Sequence, residues 1–154
     1  MQINDSILHL ENQLCFPLYA ASRLTTQLYG PILKELNITY PQYLVLLVLW
    51  QKGNQTVNEI CQSLYLESNT ITPLLKRLVE KEIITRSRSQ KDERIVNISL
   101  TENGISLKNK ALEIPEQIYC SINQVGDITE NEIVQFQKTL FKIINVLNNK
   151  TEIK

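Results

Sequence analysis

The side chains best able to do chemistry in this sequence are three thiols, Cys15, Cys61 and Cys120. A thiolate is both a nucleophile and a metal ligand, so metal binding, dithiol redox pairing and peroxide chemistry are the reactions to weigh. No two cysteines stand in a Cys-x-x-Cys arrangement and the one histidine is His9, which argues against zinc and against a dithiol pair. A disulfide framework does not suit a chain of 154 residues with no secretory signal. Cys15 has a chemical neighbour, because Tyr19 lies one helical turn beyond it. The alternative is the ordinary fate of a cysteine on an apolar stripe, a buried and inert thiol. Cys61 reads as a core residue and His9 as a surface or capping residue.

Charge supplies the second cluster. Lys plus Arg and Asp plus Glu number 16 each, so the chain as a whole is neutral. The seven basic residues Lys76, Arg77, Lys81, Arg86, Arg88, Lys91 and Arg94 nevertheless fall within one short segment, against four acidic ones. A local basic patch on a neutral chain suits contact with phosphates through one face, although an ordinary solvated surface has the same composition.

Helical periodicity governs most of the elements that must position these residues. A stripe through Leu10, Leu14, Leu18, Leu24 and Leu28 predicts one long helix, or two joined ones, from about Leu8 to Leu36. Pro17 should kink it or mark its first turn, and Gly30-Pro31 should break or bend it. Thr39-Tyr-Pro-Gln42 is a capping box ahead of the apolar run Tyr43 to Trp50, which predicts a largely buried helix ending at Gly53-Asn54. Thr56-Val-Asn-Glu59 caps a short helix to about Leu64. Ser68 then serves as N-cap for a helix with Ile71, Leu74, Leu75 and Leu78 on one face and Asn69, Pro73, Lys76 and Glu80 opposite.

Period two replaces the helical period only at Ile84–Ser89 and Ile95–Leu100, a β-hairpin whose link from Gln90 to Arg94 is wholly polar. Arg86 and Arg88 share parity and project from one face of their strand. Thr101 caps a helix from about Glu102 to Tyr119, and Thr129-Glu-Asn-Glu132 caps a last one. The last stripe (Ile133, Phe136, Leu140, Ile144, Leu147) is widened by Phe141, Ile143 and Val146 beyond what one small core needs, which suggests a dimer surface built with the first helix.

Two helices joined by a three-residue turn, the second with a polar outer face, make a helix-turn-helix whose second helix enters the major groove of DNA. Its candidate groove residues are Ser68, Asn69, Thr70 and Thr72, with Lys76 and Arg77 at the phosphates. The hairpin brings Arg86, Arg88 and Arg94 to the same side, where a basic tip can reach the adjacent minor groove.

Three stretches of the sequence are similar to a known family. Leu66-Glu-Ser-Asn-Thr-Ile-Thr-Pro-Leu-Leu-Lys-Arg-Leu78, followed by Asp92-Glu-Arg94 and Leu100-Thr-Glu-Asn-Gly104, resembles the MarR family of winged-helix regulators. Leu14-Cys-Phe-Pro-Leu-Tyr-Ala-Ala-Ser-Arg23 with Thr39-Tyr-Pro-Gln-Tyr-Leu-Val45 looks like its organic-hydroperoxide-sensing OhrR branch. The resemblance covers about residues 10–147, with two departures: Asn69 stands where glycine is usual, and Pro17 where a small or apolar residue is frequent.

It implies a mainly α fold with a small β-hairpin wing, a single MarR-type domain over 1–154. Within it a winged helix-turn-helix at about 39–100 is flanked by dimerisation helices at about 8–36 and 101–149. It further implies a cytoplasmic homodimeric repressor on a palindromic double-stranded DNA operator, with Asp92 structuring the wing and an organic hydroperoxide as signal. Cys15 would be the redox sensor, its thiolate supported by Tyr19, Tyr29 and Tyr40, and Phe16, Leu18, Leu44 and Leu47 would suit an organic peroxide tail. Cys120 would be the resolving thiol in an intersubunit disulfide, the alternative being capping of Cys15 by a small cellular thiol. No cofactor, metal or membrane role is expected, and no enzymatic one; a repressor gated by an aromatic ligand and a thiol peroxidase are the rival readings.

Overall fold

The most apolar stretch of the sequence becomes its most buried helix. In the computed structural model, which describes residues 5–89, 92, 94–123 and 128–151, Tyr43, Val45, Leu46, Val48 and Leu49 are all buried. The chain forms two compact units, Met1–Ile114 and Pro115–Lys154.

In the first unit, 3-10 turns at Asp5–Leu8 and Leu10–Asn12 precede helix α1 (Cys15–Glu35). The helix expected from Leu8 therefore starts at Cys15, which puts Pro17 in its first turn, where no donor is needed. Gly30-Pro31 does not break it. Pro31 deprives the Gln27 carbonyl of one donor, and the helix still runs on to Glu35, anchored by the buried Leu33. Asn37, left-handed at φ 54°, turns the chain into α2 (Tyr40–Lys52). There Gln42 Oε1 accepts from Thr39 N at 3.0 Å, and Pro41 occupies a first-turn position. Gly53, at φ 73°, ends the helix as its conformation allows.

Strand β1 (Gln55–Thr56) leads directly into α3 (Val57–Leu64), whose capping box forms in full. Thr56 Oγ1 accepts from Glu59 N at 3.2 Å and Glu59 Oε2 from Thr56 N at 2.7 Å. Tyr65, left-handed at φ 54°, closes α3 and opens the turn to α4 (Ser68–Glu80). The N-cap of α4 is Glu67, so Ser68, expected to cap, is instead the first helical residue. Strands β2 (Ile84–Arg88) and β3 (Val96–Leu100) pair antiparallel, with Arg86 opposite Ile98 and Arg88 opposite Val96. The wing is thus more than a hairpin: β1 pairs along the other edge of β3, giving the order β1-β3-β2. Two residues carry no readable period, which is why that strand escapes a sequence pattern.

Helix α5 (Glu102–Ala111) begins at Thr101, whose Oγ1 accepts from Gly104 N at 3.1 Å. A Cβ on Gly104 would run into the Ile83 carbonyl oxygen, so this position admits only glycine without a shift of backbone. The Gly104 carbonyl accepts from Trp50 Nε1 at 2.9 Å, tying α5 to α2. At the centre of the unit Val45, Leu46, Ile60, Ile71, Leu75, Leu78 and Ile98 have no exposed surface.

The helix expected over 102–119 is in fact two, α5 and α6 (Ile114–Asn123). Pro115 has no N–H for the Ala111 carbonyl, so the bond ladder stops there and restarts with proline in the first turn of α6. In the second unit α7 (Glu130–Thr151) is capped by Thr129, with Glu132 Oε2 accepting from Thr129 N at 2.8 Å. Phe136, Phe141, Val146 and Leu147 of α7 are exposed. Of the polar hairpin link, Gln90, Lys91 and Glu93 lie outside the described residues.

Candidate functional site

Helix α4 is pinned by one face and offers the other. Ile71, Leu75 and Leu78 are wholly buried, while Ser68, Asn69, Thr70, Thr72, Lys76 and Arg77 are all exposed. Burying those three side chains stabilises the helix by about 1.5–3 kcal/mol each, so the polar side chains opposite are held at fixed azimuths. The tip is ordered by its own bonds. Asn69 Nδ2 donates to Glu67 Oε2 and Thr70 Oγ1 to Asn69 Oδ1, each at 3.2 Å, and Thr72 Oγ1 donates to the Ser68 carbonyl at 2.7 Å.

A cleft of about 460 Å³ runs beside this tip, lined by Thr56, Asn58, Cys61, Ser68, Thr72, Arg86 and Arg94 among others. The sheet register explains how Arg86 reaches it. Arg86 and Arg88 lie on the same face as Ile84 and Ile98, the face that starts against the core and runs out along the wing. Arg88, exposed, is farther out and does not line the cleft. Asp92 Oδ1 accepts from Arg94 N at 2.9 Å and the Asp92 carbonyl from Ile95 N at 3.0 Å, which turns the chain back into β3. Cys61, expected in the core, is instead half-buried at the cleft wall, and burial pushes its thiol pKa up. A thiol kept protonated is a weak nucleophile.

Lys81 departs from the basic segment to which it belongs in sequence. Half-buried at the C-cap of α4, it turns towards α2 rather than along the reading face.

Cys15 is the first residue of α1, exposed, and Tyr19 one turn on is 64% exposed. Leu14, Phe16 and Leu24 are exposed beside them, and so is Leu47 on α2, while Leu18 and Leu44 are half-buried. Tyr29 and Tyr40 meet with ring centroids 4.7 Å apart. Tyr43, which sequence reasoning missed, joins them at 6.0 Å from Tyr29, and Trp50 follows at 6.2 Å from Tyr43. Burial raises the pKa of all three phenols, with Tyr40 and Tyr43 adding to the effect at Tyr29, so each keeps its proton as a hydrogen-bond donor. Within one chain, Cys15 and Tyr29 are fourteen residues apart along the same helix, about 21 Å of rise. The thiol is therefore at the opposite end of α1 from Tyr29 and the half-buried Tyr40 that it meets. Cys120 is exposed on α6.

Among the described residues no group of three His, Cys, Asp or Glu side chains could hold a metal ion. No described helix is long and apolar enough to cross a membrane.

Comparison with known proteins agrees with this geometry. Residues 27–111 match the family described as transcriptional regulator SarA/Rot. Over 141 residues the chain is 49% identical to the organic hydroperoxide resistance transcriptional regulator of Bacillus subtilis strain 168, covering 92% of this chain and 93% of that protein. Among solved structures, reduced AbfR bound to DNA superposes with a TM-score of 0.74 at 36% identity, covering 94% of this chain and 99% of that one. AbfR, of Staphylococcus epidermidis, has also been solved with a disulfide formed. That form gives a TM-score of 0.57 at 37% identity and 96% coverage of each chain.

Proposed function

We propose a function on one premise: this chain belongs to the SarA/Rot family of winged-helix transcriptional regulators. The protein is a homodimeric repressor that binds a palindromic double-stranded DNA operator when reduced and releases it when an organic hydroperoxide oxidises Cys15. It acts where that DNA is, in the cytoplasm. It is not an enzyme: each oxidation changes the state of the regulator.

The observation that carries this reading is the exposed thiol at one end of α1 with its phenol donors at the other. A separation of about 21 Å is unbridgeable within one straight helix, whereas an antiparallel second copy of α1 sets each Cys15 beside its partner's tyrosines. The exposed Leu14, Phe16 and Leu24 supply the apolar face for that pairing, with the exposed stripe of α7 as a second one. In the dimer Tyr29 and Tyr40, protonated, donate to the sulfur and favour thiolate, with Tyr19 alongside; Phe16, Leu18, Leu44 and Leu47 receive the alkyl part of the peroxide. The likeness to a regulator of organic hydroperoxide resistance supports the choice of oxidant.

The chemistry balances simply. The thiolate sulfur attacks the distal peroxide oxygen, the O–O bond breaks, and alcohol leaves as the alkoxide takes up a proton, giving Cys15 sulfenic acid. A second thiol then displaces water and forms a disulfide. We assign that thiol to Cys120 of the partner subunit, in keeping with the disulfide form known for AbfR. Ser68, Asn69, Thr70 and Thr72 read base edges, Lys76, Arg77, Arg86 and Arg88 neutralise phosphates, and Arg94, on a wing shaped by Asp92, reaches the minor groove. Half-site spacing is geometric, so a small rotation of the two reading helices releases the operator.

Operator binding by wild type and Cys15→Ser, with and without cumene hydroperoxide, tests the reading. Wild type should release DNA and the variant should hold it; equal sensitivity of the two sinks the redox switch. Non-reducing electrophoresis should show a covalent dimer that disappears in Cys120→Ser, and a dimer band that persists removes Cys120 from the mechanism.

A further inference from the structure

One directional link joins the reading helix to the tyrosine end of α1. Lys81, the C-cap of α4, donates from Nζ to the Asn37 carbonyl and, at 3.4 Å, to Gln42 Oε1. Gln42 is 1% exposed, and the same oxygen accepts from Thr39 N at 3.0 Å. One buried amide oxygen thus holds the first turn of α2 and the last turn of α4. Asn37 lies in the bend between α1 and α2, and Tyr40, stacked on Tyr29, is the first residue of α2. The phenol that would feel the state of the thiol is therefore two residues from the atom that grips the reading helix.

The other anchors of α4, Ile71, Leu75 and Leu78, set its azimuth by apolar packing and have no donor or acceptor to tie it to the bend before α2. Hydrogen bonds from an ammonium have direction and roughly twice the strength of neutral ones. A cation at the C-terminal end of a helix also sits favourably against its dipole.

We propose that Lys81 and Gln42 are positioning residues that transmit the state of the tyrosine cluster to the reading helix. When oxidation of Cys15 removes the sulfur acceptor, Tyr40 relaxes and the Thr39–Gln42 turn moves with it. Lys81 then draws the C-terminal end of α4 along, which changes the angle of its reading tip. The inference rests on the proposed release of DNA by Cys15 oxidation, and its failure is distinguishable from failure of that reading.

The test compares operator affinity of reduced and cumene hydroperoxide-treated full-length protein by fluorescence anisotropy. The probe is the palindromic DNA that the reduced wild type selects, and Cys15 oxidation is followed by mass spectrometry. Lys81→Met keeps the aliphatic stem and removes the ammonium. At equal Cys15 oxidation its ratio of reduced to oxidised affinity should fall about tenfold below that of wild type, within the usual range of coupling between sites. Lys81→Arg, which restores charged donors, should stay within about twofold of wild type. A wild-type ratio in Lys81→Met overturns the proposal, and so does equal weakening of both states, which a merely structural lysine would produce. Should Lys81→Met melt below the assay temperature, Lys81→Gln is measured instead, and a wild-type ratio there overturns it equally. A wild type that keeps its operator after Cys15 is oxidised removes the redox reading itself, and this inference with it.

Discussion

The winged-helix segment and the N-terminal half of α1 were built to different degrees of completeness. Between Gln55 and Gly104 nearly every apolar side chain of the helices and sheet finds partners inside its own chain: Ile60, Ile71, Leu75, Leu78, Ile84 and Ile98 are at 1% exposure or less. Between Asp5 and Leu24, by contrast, Ile7, Leu8, Leu14, Tyr19 and Leu24 are each more than 60% exposed. Exposed apolar side chains are costly in water, and in the proposed dimer these are the ones a second copy covers. One region is finished by its own fold; the other, in the proposed dimer, is completed by a second copy. The thiols follow the same division: Cys61, whose pKa burial raises, belongs to the finished region and the exposed Cys15 to the unfinished one.

The finished region should break most sharply at Gly104. Gly104→Ala places a methyl against the Ile83 carbonyl and should cost about 3 kcal/mol in chemical denaturation, the upper end of overpacking effects. A loss below about 0.5 kcal/mol would mean that the β2–α5 junction yields freely. In the unfinished region Leu24→Glu should leave the fold intact by circular dichroism but separate the dimer in sedimentation. Operator affinity should then drop about 100-fold, near 2.7 kcal/mol, because one half-site is read instead of two. An undiminished dimer would move the interface elsewhere.

Smaller effects sharpen the same contrast. Thr56→Ala removes the hydroxyl that accepts from Glu59 N and should cost about 1 kcal/mol of stability with little change in oligomeric state. Lys76→Ala should weaken DNA binding alike across sequences and flatten the salt dependence, by about 0.9 in the slope of log K against log salt. An unchanged slope takes Lys76 off the phosphates.

The pH dependence should be the mildest effect. Thr56 bonding lowers the pKa of Glu59 and Thr129 bonding that of Glu132, so both caps contribute stability above the ordinary carboxylate range and lose it as pH falls through their depressed values. Tyr29, Tyr40 and Tyr43 act oppositely. Their raised pKa values give stability that is present below the ordinary phenol value of about 10 and lost as pH rises through the raised ones. Denaturation midpoints measured from pH 3 to 11 should therefore fall at both ends, and Tyr29→Phe should blunt only the alkaline fall.

Much of this was readable from residues alone, because its causes are local. Capping boxes at Thr56 and Thr129 work within four residues, the stripe Ile71, Leu75, Leu78 follows from helical geometry, and the parity of Arg86 and Arg88 follows from strand geometry. Some departures are local, as where Pro115 splits α5 from α6, and others arise where a neighbour distant in the chain decides. Gly30-Pro31 looks like a break, but α1 continues because Leu33 is buried. Cys61 looks like core, but Arg86 and Arg94 from the wing open a cleft at its side.

What the sequence determined by itself is the capping of α3 and α7, the polar face of α4 and the shared parity of Arg86 and Arg88, since each depends on spacing along one backbone. Only the tertiary structure decided that Tyr43 joins Tyr29 and Tyr40, that β1 completes the wing sheet, and that Lys81 turns from the basic patch to the carbonyl of Asn37. Those are contacts between residues up to 44 positions apart, in the case of Lys81 and Asn37, and they exist only once burial has brought the helices together.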